Sequence, residues 1–326
     1  MKSLRLLLWA LISVACSVAS AADYVGNTAC AACHPEEYAK QSASHHAHSL
    51  HTIGGSLLGS ALLRAGHSPD GRLQYEADGN RILVRENGAP DTLLIEWAFG
   101  AGVQGSTPVG LFGQQYMEHQ FSYYSRLQGL APTFGHPAHP ATPIAELGVF
   151  QDSRTIFQCF NCHAAGVQMG ANGPDLRNML PGVQCERCHG PGSAHVQAPR
   201  KQNTIFDPGS LPAKALIQFC GQCHRLPGPD MGDQPELEDP VNVRFAPIGL
   251  LASRCFRASG KLSCLTCHDP HSDVRPRDSG FYTERCLSCH ANVARHTAAQ
   301  KKNCLPCHMK QASLGRFLVF TDHRIR

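Results

Sequence analysis

Fourteen of the 16 cysteines fall into seven identical units, and this arrangement constrains the chain more than any other feature. The units are CAACH (30–34), CFNCH (159–163), CERCH (185–189), CGQCH (220–224), CLTCH (264–268), CLSCH (286–290) and CLPCH (304–308). Only Cys16 and Cys255 stand outside them. With 19 histidines in 326 residues, a histidine after all seven Cys-x-x-Cys pairs has a chance probability on the order of 10⁻⁹. The histidine is therefore part of the device. Covalent attachment of haem c explains each component: two thiols add across the porphyrin vinyl groups, and the adjoining imidazole reaches the iron. Seven is an odd number of zinc half-sites, and tetrahedral zinc does not need histidine next to the second cysteine each time. A redox dithiol of the thioredoxin kind occurs once, at the end of a strand, rather than seven times.

The expected cofactor-binding residues are thus Cys30, Cys33, Cys159, Cys162, Cys185, Cys188, Cys220, Cys223, Cys264, Cys267, Cys286, Cys289, Cys304 and Cys307, holding seven haems c. The expected proximal ligands are His34, His163, His189, His224, His268, His290 and His308. Twelve histidines remain: His45, His46, His48, His51, His67, His119, His136, His139, His195, His271, His296 and His323. A six-coordinate iron takes a second axial ligand, so this surplus is informative. His271 lies three residues after His268. Roughly 10 Å of chain cannot pass around a porphyrin edge, so His271 would serve a neighbouring iron, within about 23 Å of the first. The same reasoning sends His195 away from its own motif, since Gly190-Pro191-Gly192 turns the chain between them. His323, fifteen residues beyond His308, has reach enough for its own haem or another. The stretch SHHAHSLH reads as part of a helix running from Pro35 to before Gly54. There His45 and His48 would share a face. His296 is counted with these distal candidates. Cys255 reads as a packing residue rather than a sulfur ligand or reactive thiol.

The N-terminal MKSLRLLLWALISVACSVASAAD has two cations, an apolar run and Ala19-Ser20-Ala21, and reads as a secretory leader over 1–21. An uncleaved anchor, or a lipid-modified Cys16, are the alternatives. No other stretch approaches the length of a membrane span, so a periplasmic location is expected. Residues 22–51 hold the first motif, 52–150 none, and 151–326 the other six. The middle segment alternates apolar and polar residues on both sides of Asp78-Gly79, a hairpin signal, and TLLIEWAFG and HQFSYYSRL read as further strands. It is expected to be a small β-rich insertion covering the first haem. The remainder breaks into short helical pieces at Gly and Pro. The expected fold is mainly α with much irregular structure, organised around packed haems that form its core. Net charge is +4. Removing the leader and adding seven ferric haems brings it to about −5, which gives no argument for nucleic-acid binding.

The stretches YVGNTACAACHPEEYAKQSASHHAHSL, GVQCERCHGPGSAHV, KLSCLTCHDPHSD and NCLPCHMKQ with FTDHRIR resemble the exported multihaem c-type cytochromes grouped with the tetrahaem cytochrome of ammonia oxidisers. That group is similar to the hydroxylamine oxidoreductase and pentahaem nitrite reductase superfamily. The resemblance implies closely packed haem pairs with mostly bis-histidine irons, His195, His271, His323 and one of His45 or His48 being distal ligands. The lysine that marks the active haem in nitrite reductases of that superfamily has no counterpart, since no Cys-x-x-Cys-Lys occurs. The function expected is electron transfer among other redox proteins or from a membrane quinol-linked donor. The alternative is an oxidoreductase acting on a small nitrogen or sulfur oxyanion at one five-coordinate haem.

Overall fold

Each motif has to deliver two thiols and an imidazole from a five-residue stretch, and one turn of helix does this, because positions i, i+3 and i+4 lie on one face. A computed structural model of the chain describes residues 23–87, 90–200, 204–226, 240–277, 280–291 and 303–326. The leader and His296 lie outside these residues. The backbone N–H of the motif histidine donates to the carbonyl of the first cysteine in His34, His268 and His290 at 2.9 Å and in His308 at 3.0 Å. Most motifs accordingly sit in the last turn of a short helix. The helices are α1 (Asn27–Ala31), α2 (Pro35–Ser42), α3 (Leu57–Ala65), α4 (Pro143–Leu147), α5 (Ser153–His163), α6 (Cys185–His189) and α7 (Ser193–Gln197). They continue with α8 (Ala213–His224), α9 (Ala246–Ala252), α10 (Arg254–Ser259), α11 (Phe281–Leu287) and α12 (Leu305–His308). The fifth motif starts in a single 3-10 turn, Cys264–Thr266.

The chain is mixed α/β, which corrects the expectation of a mainly α fold. Nine strands form one antiparallel sheet: β1 (Leu50–Thr52), β2 (Leu73–Asp78), β3 (Arg81–Glu86), β4 (Thr92–Phe99), β5 (Gly105–Phe112), β6 (Gln115–His119), β7 (Phe121–Tyr124), β8 (Gly129–Pro132) and β9 (Gly148–Phe150). The main path runs β2-β3-β4-β5-β6-β9, with β1 added to β4 and the β7-β8 hairpin to β5. Asp78 pairs with Arg81 around Gly79-Asn80, and Gly79 has φ +60°. Glycine in the first position of a two-residue hairpin loop suits the twist of the flanking strands. On one face Tyr75 lies opposite Val84, Val84 opposite Leu93, and Ile82 opposite Ile95. Leu58, Ala61 and Leu62 of α3 close over that face, since their spacing makes one apolar stripe. Ser56 caps this helix by accepting the Gly59 N–H at 2.9 Å. Further small pairs are β10 (Ala164–Ala165) with β13 (Leu180–Pro181), β11 (Gln168–Gly170) with β12 (Gly173–Asp175), and β14 (Gln311–Leu314) with β15 (Leu318–Thr321).

The sheet begins inside the segment assigned by sequence to the first motif, at Leu50, and it docks on the second motif rather than the first. Leu50, Phe99 and Val109 pack with Ile156, Phe160 and Ala164, so the buried side of α5 is the sheet's partner. Ile156 and Phe160 are one helical turn apart, which leaves Cys159, Cys162 and His163 along the rest of the same helix. Both apolar core clusters lie between residues 50 and 164.

Candidate multihaem site

Four motif histidines each face one non-motif histidine. The ring centroids are 6.4 Å apart for His34 and His195, 6.0 Å for His46 and His224, 6.2 Å for His189 and His271, and 6.3 Å for His268 and His323. Two imidazoles bound through Nε2 on opposite sides of one iron have centroids about 6.3 Å apart, from an Fe–N length of about 2.0 Å plus the ring radius on each side. The pairs therefore fit axial ligation of a haem iron. Each partner comes from far along the chain, as the reach argument requires of His195 and His271. His323 meets the fifth motif rather than the seventh, which it follows in sequence.

The opposite ring nitrogens are held. Nδ1 of His46 lies 3.2 Å from the Pro270 carbonyl, that of His163 2.9 Å from Ser49, that of His189 2.9 Å from Phe206, and that of His323 3.0 Å from Thr321. His195 Nδ1 is 3.1 Å from Thr204 Oγ1, and His308 Nδ1 donates to the Arg326 carbonyl. A proton fixed on Nδ1 leaves Nε2 as the lone-pair nitrogen, and it also sets the ring's direction. Burial holds His163, His224, His268 and His323 below the usual histidine range, so these rings are neutral, the form that ligates a metal.

His46, rather than His45 or His48, is the ring brought to the fourth motif. Helix α2 stops at Ser42, so the following residues are turns and the helical-face argument does not apply to them. His45 Nδ1 is instead 2.8 Å from Asp273 Oδ1, and His48 stacks on His51 with centroids 5.6 Å apart. His119 is fully buried within the sheet, with Nδ1 on the Leu147 carbonyl and Nε2 on Tyr75 Oη, which makes it a core residue. His163 is met by the edge of Phe99 at 5.3 Å. Among the described residues no second imidazole faces it. His290 adjoins the stretch containing His296, which lies outside the described residues.

The thiols show which motifs are neighbours. Cys30 neighbours Cys185, Cys162 neighbours Cys223, Cys220 neighbours Cys264, and Cys286 neighbours Cys304. Cys188 lies near Cys220 and Cys223, and Cys267 near Cys286. The motifs thus adjoin in the order first, third, fourth, fifth, sixth, seventh, with the second attached at the fourth. Burial pushes Cys159 and Cys188 up to about 11 and Cys185 and Cys286 up to about 12, keeping them as neutral thiols. Cys223 is held below the usual range, first by the neighbouring Cys162 thiol and then by Arg187. Cys255 is half-buried and lies beside both Cys267 and Cys286.

The joint between the first and third motifs rests on residues that spacing arguments missed. Glu186, 2% exposed, accepts the N–H groups of Val25 at 2.9 Å and of Gly26 and Gly192 at 2.7 Å. Asn27 Oδ1 accepts the Cys185 N–H at 2.8 Å while its amide donates to Gln41, whose own amide donates to the Val183 carbonyl. Arg187 donates to the Asn161 carbonyl at 2.7 Å and approaches Cys223 Sγ at 3.7 Å, tying the third motif to the second and fourth. A signal existed: CERCH is the only one of the seven motifs with charged residues between its cysteines.

Among the described residues no three or more His, Cys, Asp or Glu converge as a bare-ion site, and no helix is long and apolar enough to cross a membrane. Comparison with known proteins gives a match of residues 138–190 to the family model "Cytochrome c554 and c-prime". No curated protein matches the chain. Among solved structures, the outer cell wall cytochrome OcwA is similar with a TM-score of 0.54 and 16% identity, over 93% of this chain and 79% of that one. The undecahaem cytochrome from the S-layer of Carboxydothermus ferrireducens has a TM-score of 0.46 and 18% identity, over 82% of this chain and 43% of that one. The chain thus shares its fold with the outer cell wall cytochrome OcwA.

Proposed function

We propose that the chain is an exported heptahaem c-type cytochrome that passes electrons between redox partners, with mostly bis-histidine irons. The observation that carries this reading is the set of four motif histidines, each opposed by a distant histidine at 6.0–6.4 Å. Haem c supplies a one-electron ferric/ferrous couple whose potential depends on axial ligands, hydrogen bonds and burial. The chain's part is to attach through the fourteen motif cysteines, to aim Nε2 of each ligand by holding Nδ1, and to set successive motifs in contact. His34 with His195, His224 with His46, His189 with His271, and His268 with His323 are the assigned ligand pairs. His163, His290 and His308 are the remaining proximal ligands, and His296 is kept as the distal candidate nearest the sixth motif in sequence. His45 and His48, which face no motif histidine among the described residues, are given up as distal ligands. The leader over 1–21 supports export, with the periplasm as the proposed compartment and a quinol-linked or soluble redox protein as donor. The finer likeness to hydroxylamine oxidoreductase and pentahaem nitrite reductase rests on the quoted sequence stretches alone.

The purified holoprotein tests this by mass and by electron paramagnetic resonance. Seven haems and at least four low-spin ferric signals are expected. Fewer than seven covalent haems, or high-spin iron throughout, would overturn the reading. A second reading, catalysis on a small nitrogen or sulfur oxyanion, is favoured by one observation: the ring facing His163 is Phe99 rather than an imidazole. It requires a high-spin signal that shifts on adding nitrite, hydroxylamine or cyanide, and that His163→Met alters.

A further inference from the structure

The charges are unevenly divided along the chain. Residues 23–239 hold 13 Lys and Arg against 20 Asp and Glu, whereas residues 240–326 hold 14 against 5. The first four motifs belong to the acidic part and the last three to the basic part. A ferric haem c contributes a net charge of about −1, so neither part changes sign when loaded.

Among the described residues of the basic part, carboxylates are few beside the cations. Asp269, Asp273 and Asp322 are taken up by His271, His45 and Arg324. Arg254 and Arg257 stand exposed on α10, and Lys261 is exposed just past its left-handed cap Gly260. None of the three forms an ion pair among the described residues. Helix α10 is fixed in place: Ser253, 1% exposed, caps it by accepting the Phe256 N–H at 3.1 Å, and the Arg254 N–H donates to the Ile325 carbonyl at 3.2 Å. Ile325 follows His323, the ring opposed to His268, by two residues. The thiol of Cys255, on the same helix, lies beside Cys267 and Cys286. The helix therefore covers the junction of the fifth and sixth motifs, and its cations face outward from it. Arg285, exposed on α11 at the sixth motif, adds a further cation, stacked 4.8 Å over Phe281.

We propose that Arg254, Arg257 and Lys261, together with Arg285 at the sixth motif, form the docking surface for an acidic redox protein that exchanges electrons at the fifth and sixth motifs. This rests on the electron-transfer reading and adds the partner's chemistry and its place. Each productive encounter moves one electron, a ferrous haem becoming ferric as the partner's acceptor is reduced, with no proton or atom transferred. Opposed charges raise the encounter rate and lose that effect in salt, because screening acts over about a Debye length.

The test uses the reduced holoprotein, an Arg254→Gln/Arg257→Gln/Lys261→Gln variant and, as a control at the other end, Glu36→Gln/Glu37→Gln on α2. Haem content of each variant, by absorbance of the pyridine complex, reports that it is intact. Reoxidation is followed with anionic ferricyanide and cationic hexaammineruthenium(III), and binding to immobilised flavodoxin, an acidic redox protein, is measured separately. The expected result is that the triple variant loses about tenfold in ferricyanide rate at low salt, loses none of its ruthenium rate, and no longer retains flavodoxin. The control should behave as the natural protein does. Unchanged ferricyanide rate and flavodoxin binding in the triple variant would overturn the proposal. So would loss of binding to phosphatidylglycerol vesicles with flavodoxin binding intact, since the surface would then serve a membrane. If the natural protein exchanges electrons with neither reagent, the electron-transfer reading fails, while flavodoxin binding still decides the docking surface.

Discussion

Glu186 is a carboxylate with almost no solvent, stabilised because its two oxygens accept three backbone N–H groups from two separate segments. Charge-assisted hydrogen bonds of this kind contribute about 1.5–3 kcal/mol each, and their loss here leaves buried donors unsatisfied. Glu186→Ala should therefore cost about 3 kcal/mol or more of stability, read as a lower urea midpoint, with residues 23–34 becoming protease-sensitive first. His119 makes a different residue-level prediction. Burial depresses its pKa to about 4 from 6.5, the hydrogen bond to Leu147 opposing the shift. The unfolded chain then takes up the proton first as pH falls, so the neutral folded form loses stability between pH 6.5 and 4 and keeps it above that window. The loss should reach about 3 kcal/mol and be absent in His119→Asn, as urea midpoints at the two ends of the window would show.

At the scale of elements, the motif and the helix end coincide because a single turn satisfies the spacing, and this much is legible in the letters. The delivery of His46 is not. Gly182, at φ +84°, brings its backbone so close to Ala47 that an added Cβ would sit 1.9 Å from the Ala47 carbonyl oxygen. The Val183 N–H then donates to the His46 carbonyl at 2.8 Å. Nothing in the run of histidines distinguishes His46 from His45 or His48, since the choice depends on a strand of backbone 136 residues away. Gly182→Ala and His46→Ala should each convert one low-spin iron to high-spin, whereas His45→Ala should leave all low-spin signals in place. Electron paramagnetic resonance of the ferric protein distinguishes them.

For the whole molecule, the apolar core and the redox machinery are largely separate. Both core clusters lie between residues 50 and 164, and the sheet touches the motifs mainly through α5, where Phe160 meets Trp97, Phe99 and Tyr116 edge to face at 5.0–5.8 Å. The part beyond has helices too short to bury much apolar area against one another, so it depends on its cofactors for cohesion. Chain produced without haem attachment should yield, on limited proteolysis, a protected fragment of residues near 50 to 165 while the rest is digested. The holoprotein should be protected throughout. Mass spectrometry of the digests would decide, and a protected C-terminal half in the haem-free chain would contradict this division.

Spacing alone pointed to the covalent chemistry: a Cys-x-x-Cys-His unit is local, and no fold is needed to group two thiols with one imidazole. It also excluded particular pairings, because a few residues of chain cannot round a porphyrin. Alternation of side chains likewise announced the β2-β3 hairpin, while the nine-stranded extent of the sheet depended on short strands such as β1, β7 and β9 that gain their stability only from neighbours. Only the tertiary structure decided which distant histidine faces which motif, that the sheet rests on the second motif, and in what order the motifs adjoin. Those are contacts between segments up to 228 residues apart, as between His45 and Asp273, and they follow from packing and backbone hydrogen bonds that no local pattern records.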